Sequence, residues 1–241
     1  MKNIKKFLLI TAMTMALGTS AFAASGFEFI LNVPFGINVG IPNKETKDMG
    51  ADGTHIGFDV GVDAQIGYMF QVSSGFGISA LVELGYAHDH YLGYSVEETS
   101  YDDSTGDVLG TFKVSQSYGL DSFKIGLLPK FNIGAFSIGI GGGVKVPLSR
   151  KLTYKEGDSK ESMKMAMGDT LSIFTPPVIG YVKATFDYSI FFLDNLAFNI
   201  GLYLGGDIAK TELLMDANGN AGTLSSFDIG VELGLKFGPR A

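Results

Sequence analysis

The chain has 241 residues, with 25 acidic and 18 basic side chains, and its formal net charge is −7. Nucleic-acid phosphates attract basic surfaces, so this acidic balance excludes nucleic acid as an expected partner. The chain has no cysteine, which excludes disulfides, thiolate metal sites, cysteine nucleophiles and a lipidated cysteine.

The first 23 residues have the pattern of a cleavable secretory signal. A basic start at Met1–Lys6 precedes an apolar run from Phe7 to Leu17, and small residues end at Ala21-Phe22-Ala23. The apolar run is too short to span a bilayer. We therefore predict export and cleavage after Ala23, with residues 24–241 forming one domain.

Composition favours strands over helices. The chain has 33 glycines and 19 phenylalanines, and this much glycine weakens helices while making room inside a narrow barrel. Beyond the signal, no apolar run reaches the roughly 20 residues that a membrane-spanning helix needs. Any membrane span must therefore be made of strands, and we expect an all-β fold.

Eight segments alternate apolar residues with small or polar ones, a period of two that sends the two kinds to opposite faces of a strand. The pattern is most regular in residues 227–237, where every odd position is Phe, Ile, Val or Leu. In chain order the predicted strands are 27–41, 56–70, 76–86, 123–131, 136–146, 178–188, 196–204 and 227–237.

The connections between these strands alternate between long and short. The short turns are 71–75, 132–135 and 189–195; the long connections are 42–54, a hairpin that turns at 102–107, 147–177 and 207–226. Both termini and all short turns then lie at one end, as in outer-membrane β-barrels with an even number of strands. The alternative is a soluble lipocalin-like barrel, which would place its apolar residues inside.

The alternating segments, the Ala-x-Ala signal and the apolar last strand ending at Phe237 resemble the small eight-stranded outer-membrane barrels of the OmpA, OmpX and OmpW type. The resemblance implies an antiparallel, up-and-down transmembrane β-barrel in the bacterial outer membrane, in contact with its lipid. It also implies recognition of the C-terminal strand by the barrel-assembly machinery. One departure is that Gly238–Ala241 follow the aromatic residue that usually ends such chains.

Charged residues on the inward face suggest how the lumen is filled. An eight-stranded barrel is just wide enough for side chains to fill, and unpaired charges there are costly. We therefore predict an ion-pair network that plugs the lumen; the alternative is a narrow wet lumen that solvates the charges. With Phe27 opposite Phe237, a Glu28–Lys236 pair would close the seam between the first and last strands. The predicted network comprises Asp63, Glu83, Lys124, Lys183 and Glu232.

The three histidines fall near the outer rim of neighbouring strands. By parity His55 and Asp89 form a polar pair on the lumen side, whereas His88 and His90 point away, so the three imidazoles do not converge on one metal. A His–Asp pair is what a barrel hydrolase would need to generate a nucleophile. No further catalytic motif accompanies the pair, so we expect polar rim residues and no enzyme.

Two turns carry clustered oxygen ligands that could suit Ca²⁺. Neither has the spacing of the twelve-residue calcium loop, and turn chemistry alone explains Asp, Asn and Gly there. We therefore predict no metal site and no cofactor. The two turns contain Asp102, Asp103 and Asp107 in the first and Asp216, Asn218 and Asn220 in the second.

Two functions follow as hypotheses. The first is a non-enzymatic surface protein whose acidic hairpin, about His88 to Tyr118, serves adhesion, immune interaction or envelope stability. The OmpX-like resemblance implies a projecting strand edge, which can bind a host or matrix ligand by β-addition. The second, implied by the OmpW resemblance, is a small-solute channel, with the glycine-rich fifth strand thinning one wall. The charged connection 147–177 either contacts lipid headgroups or a partner, or forms an extended hairpin.

Overall fold

The computed structural model describes residues 25–41, 56–91, 95–102, 104–157, 159–215 and 219–241. The predicted signal and His55 lie outside these residues. The described chain forms eleven strands and one short helix. In order they are β1 (Gly26–Gly40), β2 (Ile56–Ser73), β3 (Phe76–Tyr91), β4 (Ser95–Tyr101), β5 (Val108–Leu127), β6 (Lys130–Ile133), β7 (Phe136–Glu156), β8 (Ser159–Met165), α1 (Met167–Leu171), β9 (Ile179–Leu193), β10 (Leu196–Met215) and β11 (Ala221–Phe237).

The strands close into a ring of eight. Neighbours along the chain pair antiparallel, in the order β1, β2, β3, β5, β7, β9, β10 and β11, and β11 returns to pair with β1. The chain breaks from strand geometry at Leu128 and Pro129. After this break β6 continues in line with β5 and pairs with the same two neighbours, β3 and β7. A closed ring leaves no barrel strand with an unpaired edge. The predicted eight-stranded up-and-down barrel is confirmed.

The barrel is apolar outside and polar inside. Along each strand the outward positions carry exposed large residues, such as Phe58 at 75%, Ile140 at 63% and Val182 at 67% exposure, whereas the inward positions are buried and polar. Water would oppose such a surface, but the hydrocarbon of a bilayer matches it. The strand pairing satisfies the backbone polar groups, as a bilayer requires. The fold is a transmembrane β-barrel.

No helix within the described residues combines the length and the hydropathy needed to cross a bilayer.

Four strands and one short helix fill more of the long connections than the sequence predicts. The predicted connection 147–177 contains the end of β7, all of β8 and α1. In the predicted connection 207–226, β10 runs on to Met215 and β11 begins at Ala221. The physical reason is that these extensions lie beyond the apolar belt, where lipid no longer requires apolar side chains on the outward face. The period of two then fades from the sequence although the backbone pairing continues.

At the end of the barrel that carries the long connections, the same sheet continues beyond the ring of eight strands. We call this continuation the projecting sheet: β4, residues 108–115 of β5, residues 150–156 of β7, and β8. β4 pairs with β5 from Ser95 to Tyr101, β5 pairs with β7 as far as Val114 opposite Glu156, and β8 pairs with β7. The end that carries this sheet is called the long-loop end, and the opposite end, with both described termini, is the short-turn end.

The seam between β1 and β11 has a register different from the predicted one. Phe237 lies opposite Phe29, not Phe27, and Lys236 lies opposite Ile30. The sequence pattern cannot fix this offset because a shift of two residues leaves every side chain on its own face. Glu28 and Lys236 still meet, as diagonal neighbours inside the lumen, with Lys236 Nζ 2.5 Å from Glu28 Oε1.

Candidate functional site

Five strands aim one charged residue each at the middle of the lumen. Asp63, Glu83 and Glu232 supply carboxylates from β2, β3 and β11, and Lys124 and Lys183 supply ammonium groups from β5 and β9. All five side chains are almost completely buried. They sit at inward positions because each falls on the polar parity of its strand. We call these five residues the central ion-pair cluster.

The two lysines connect the three acids into one group. Lys124 Nζ lies 2.6 Å from Asp63 Oδ2 and 3.2 Å from Glu83 Oε1. Lys183 Nζ lies 3.1 Å from the same Asp63 oxygen and 3.2 Å from Glu83 Oε2, and it also contacts Glu232 Oε1. The structure therefore brings together all five residues of the predicted network. Each lysine bridges at least two carboxylates, which is the pairing that buried charges require.

Neutral side chains complete the cluster across the lumen. Gln65 Nε2 donates to Glu83 Oε2 over 3.2 Å, Tyr181 OH donates to Glu83 Oε1 over 3.1 Å, and Asn32 Nδ2 donates to Glu232 Oε2 over 3.0 Å. The hydroxyl of Tyr181 reaches β5 because Gly126 has no side chain there; a Cβ at that position would collide with it. The absence of a side chain at Gly126 thus lets the Tyr181 side chain extend from β9 to β5 inside the lumen.

Toward the short-turn end a second ion pair fills the lumen. Lys130 Nζ lies 2.7 Å from Asp187 Oδ2, and both side chains are buried. Below it, Asn132 Nδ2 donates to Ser79 Oγ over 2.8 Å, and Ser137 Oγ donates to Asn132 Oδ1 over 2.6 Å. The Lys130–Asp187 pair was not in the predicted network, although strand parity places both residues inward and could have indicated them.

Toward the long-loop end the lumen is acidic. Lys145 Nζ lies 2.9 Å from Asp89 Oδ2 and 2.7 Å from Asp207 Oδ2. Asp89, predicted to form a rim pair with His55, is therefore a buried partner of Lys145; His55 lies outside the described residues. Asp207 was predicted to lie in a connection, and the longer β10 brings it into the lumen. We call Lys145, Asp59, Asp89, Asp207 and Asp228 the upper acidic group.

The other two acids of this group bond to neutral partners. Tyr203 OH donates to Asp59 Oδ2, and Asn38 Nδ2 donates to Asp228 Oδ1 over 2.6 Å. The group lines a cavity of about 50 Å³, room for only one or a few water molecules. The upper acidic group therefore holds four carboxylates against one lysine, whereas the central ion-pair cluster holds three against two.

An apolar layer lies above the upper acidic group. Leu120, Ile179, Ala209 and Leu224 point inward from four barrel strands, and Phe174, from the segment after α1, packs among them. Backbone hydrogen bonds hold this segment against β10, since Thr175 N donates to Lys210 O and Glu212 N donates to Ile173 O. We call these five residues the apolar cap. The alternating pattern does not indicate the cap, because Phe174 lies in the predicted connection 147–177, outside the eight alternating segments.

The tip of the β4–β5 hairpin contains Asp102, a residue whose presence the sequence attributes to turn formation. Asp102 Oδ1 accepts hydrogen bonds from Ser104 Oγ, Ser104 N and Thr105 N at 2.6, 2.8 and 3.1 Å. The Ser104 hydroxyl and the backbone N–H groups lower the pKa of Asp102. Turn geometry thus already uses this carboxylate. Asp103, Asp216 and Asn218 lie outside the described residues, and among those described no group of three His, Cys, Asp or Glu side chains is arranged to hold a metal ion.

Together these features define the class of protein: an eight-stranded transmembrane β-barrel whose lumen is occupied by its own side chains. No protein-family model matches the sequence, and no curated protein matches it.

Solved structures similar to this chain are barrel proteins of bacterial surfaces. Ail, the attachment invasion locus protein of Yersinia pestis, is 10% identical with a TM-score of 0.33, covering 90% of this chain and 100% of that one. Neisserial surface protein A is 10% identical with a TM-score of 0.32, covering 87% and 97%. The outer membrane protease OmpT of Escherichia coli is 9% identical with a TM-score of 0.36, covering 91% and 99%. The strand pairing of this chain by itself defines the fold.

Proposed function

We propose that the protein is a non-enzymatic surface protein of the bacterial outer membrane, whose barrel anchors the projecting sheet for binding a host or matrix ligand. The observation that carries this proposal is the combination of a lumen filled by paired side chains with a sheet extended beyond the apolar belt. A filled lumen favours an anchor over a pore, and the extension provides a surface for contact outside the membrane.

The outer-membrane location is supported by the architecture. An even number of antiparallel strands, short turns at one end, long hairpins at the other and an outward apolar band are the properties of barrels in that membrane. The short-turn end would then face the periplasm and the projecting sheet would face the medium. Export through the predicted signal and insertion through the C-terminal strand by the assembly machinery belong to the same proposal.

The filling of the lumen argues for an anchor. Four layers occupy the lumen: the Lys130–Asp187 pair, the central ion-pair cluster, the upper acidic group and the apolar cap. Ions could pass only if bonded side chains moved aside, and breaking a buried pair is strongly unfavourable. We therefore expect no steady open conductance from the protein in planar bilayers.

The projecting sheet offers two means of binding. Within the described residues β4 pairs only with β5, and β8 pairs only with β7, so each leaves one edge that can accept a partner strand by β-addition. The tip of the β4–β5 hairpin also exposes Tyr101 at 58%, Val108 at 62% and Leu109 at 65%. Apolar side chains exposed beyond the lipid belt are suited to contact with another protein.

The test compares variants displayed on cells that lack surface adhesins. Deletion of residues 95–112 removes β4 and the hairpin tip, and the triple substitution Tyr101→Ser, Val108→Ser and Leu109→Ser removes only the apolar tip. Lys113→Ala, an exposed change on the same hairpin, is the matched control. We expect the deletion to abolish binding to immobilised matrix proteins, the triple variant to weaken it, and the control to leave it unchanged.

Heat-modifiable gel migration shows whether each variant contains a folded barrel, so loss of binding can be separated from loss of folding. Undiminished adhesion by the folded deletion variant would refute the adhesive role.

A small-solute channel is the second candidate, and the cavity beside the upper acidic group favours it. In the described residues the lumen buries more acidic than basic groups, so any path through it would favour cations. The glycines of β7 do not leave an open wall, because Cβ atoms at Gly141 or Gly143 would collide with the β5 side of the barrel. The buried acids are Glu28, Asp59, Asp63, Glu83, Asp89, Asp187, Asp207, Asp228 and Glu232, and the buried bases are Lys124, Lys130, Lys145, Arg150, Lys183 and Lys236.

Planar-bilayer recording separates the two candidates. A large, steady, cation-selective conductance from the unmodified protein would support the channel and overturn the plugged anchor. Liposome swelling in small neutral solutes provides a second measurement of the same property. The absence of an enzymatic role is part of the anchor proposal, and loss of a measured hydrolysis on Asp89→Asn substitution would contradict it.

A further inference from the structure

A polar cluster faces outward on β3, β5 and β7, where the apolar belt approaches the projecting sheet. Its members are Tyr86 and His88 of β3, Asp121 of β5 and Ser149 of β7, and His90 lies two residues beyond His88 on the same strand. The lumen does not involve these side chains, and the proposed binding role does not use them.

The Asp121 carboxylate is the centre of this cluster. Its Oδ1 accepts hydrogen bonds from Tyr86 OH at 2.7 Å and from His88 Nδ1 at 2.6 Å, and its Oδ2 accepts one from Ser149 Oγ at 2.6 Å. An ionised carboxylate only accepts hydrogen bonds, so the proton of a neutral His88 ring lies on Nδ1. The lone pair of His88 is therefore on Nε2, the nitrogen turned away from Asp121.

The second imidazole lies beside the first. His88 and His90 are two residues apart in a strand, so they share a face, and their ring centres are 5.9 Å apart. Both rings lie over Gly119 of β5: a Cβ on that residue would be 3.5 Å from His88 Cε1 and 3.6 Å from His90 Cε1. Two imidazoles bound to one tetrahedral zinc, with Zn–N bonds of about 2.1 Å, have ring centres roughly 5 Å apart. A small rotation of the side chains brings the pair to that spacing.

The geometry points to a divalent transition-metal site made by His88 and His90, with Asp121 holding His88 in the metal-binding tautomer. Imidazole nitrogens suit Zn²⁺, Cu²⁺ and Ni²⁺, and protein-bound histidines commonly donate their other ring N–H to a carboxylate as His88 does. In the part of the chain that the structure describes, no third His, Cys, Asp or Glu joins them in a metal-binding group. Water would fill the other coordination positions, and the hydrogen bond from His88 Nδ1 to Asp121 would remain in place.

Lys164 distinguishes this site from an anion site. Its Nζ lies 3.7 Å from Asp121 Oδ2, and its side chain is 69% exposed. A bound cation is repelled by this ammonium group, whereas a bound phosphate would be attracted by it. The Lys164→Ala variant should therefore bind metal at least as tightly as the unmodified protein.

The experiment is calorimetric titration of tag-free, detergent-solubilised barrel with Zn²⁺, Ni²⁺ and Cu²⁺. We expect one saturable site, tightest for Cu²⁺ in accord with the usual order of affinities, and no competition from Mg²⁺ or Ca²⁺, which prefer oxygen ligands. His88→Asn or His90→Asn should weaken binding by at least about 100-fold because chelation is lost. Asp121→Asn should weaken it by about 10- to 100-fold.

His55→Asn is the matched control because it removes the one other histidine of the chain, and it should leave binding unchanged. Electron paramagnetic resonance of the Cu²⁺ complex should show two imidazole nitrogens. Four results would overturn the assignment: no saturable binding, a signal from a single nitrogen, loss of binding in His55→Asn, or binding of inorganic phosphate that requires Lys164. Gel migration establishes that each variant is folded before titration.

Discussion

The barrel and the projecting sheet share β5 and β7 but are stabilised in opposite ways. In the barrel every strand has two partners, and the polar side chains are enclosed and paired, as at Lys183 and Lys145. In the projecting sheet the side chains of β8 are mostly exposed and the described residues leave β4 and β8 with one partner each. Burial therefore makes the barrel sensitive to single substitutions, whereas exposure makes the sheet tolerant and available to partners.

The largest difference in unfolding free energy between the two regions is expected when a lysine is replaced. Lys183→Met leaves Asp63, Glu83 and Glu232 with Lys124 as their remaining cation in the central ion-pair cluster, and breaking a buried pair costs about 3 to 5 kcal/mol. Lys155→Met, on an exposed position of β7 in the projecting sheet, should change the free energy of unfolding by less than about 0.5 kcal/mol. Urea unfolding of both variants in lipid vesicles measures the contrast, and equal destabilisation would contradict it.

The second-largest loss of stability is expected when a charge is placed on the lipid-facing side of the barrel. Leu233 points outward from β11, between Val33 and Ile200 of the neighbouring strands, and Leu233→Arg near mid-bilayer should cost about 2 to 4 kcal/mol. Met163→Arg places the same side chain on β8, where Met163 is 62% exposed, and should be nearly neutral. The same unfolding measurement applies. A large loss of stability for Met163→Arg would place the projecting sheet within the lipid.

A smaller effect should come from neutralising one acid of the central ion-pair cluster. Glu232→Gln keeps the size of the side chain and leaves Lys183 bonded to Asp63 and Glu83, so the cost should be about 1.5 to 3 kcal/mol, that of a hydrogen bond to a charged group. The barrel should still fold, while planar-bilayer recording should show brief openings that the unmodified protein lacks. If the Glu232→Gln variant shows no conductance, other layers close the lumen.

The smallest effect on the barrel is expected for the largest change in sequence. Deletion of residues 95–112 removes β4 and the tip of its hairpin, whose described side chains are mostly exposed, so the unfolding free energy of the barrel should change by less than about 1 kcal/mol. Gel migration and urea unfolding measure this. A deletion variant that fails to fold would show that the two regions depend on each other.

The period of two predicted the fold because one chemical rule acts along every barrel strand. Lipid outside and side chains inside require the two faces to differ, so Phe227 to Phe237 could be assigned to a strand, and Glu83 and Lys183 to the lumen, from the sequence. The same rule did not predict β8, because the residues of this strand meet water on both faces. It also could not find the apolar cap, since Phe174 reaches the lumen from an irregular segment.

Alternation in the sequence by itself determined the number of barrel strands, their inward and outward faces and the five residues of the central ion-pair cluster. Only the tertiary structure decided the seam register, the extension of β10 that brings Asp207 to Lys145, and the placement of His88 beside Asp121. The physical reason is that alternation specifies the face of a strand on which a residue lies. The height at which residues of different strands meet depends on strand pairing around the closed ring.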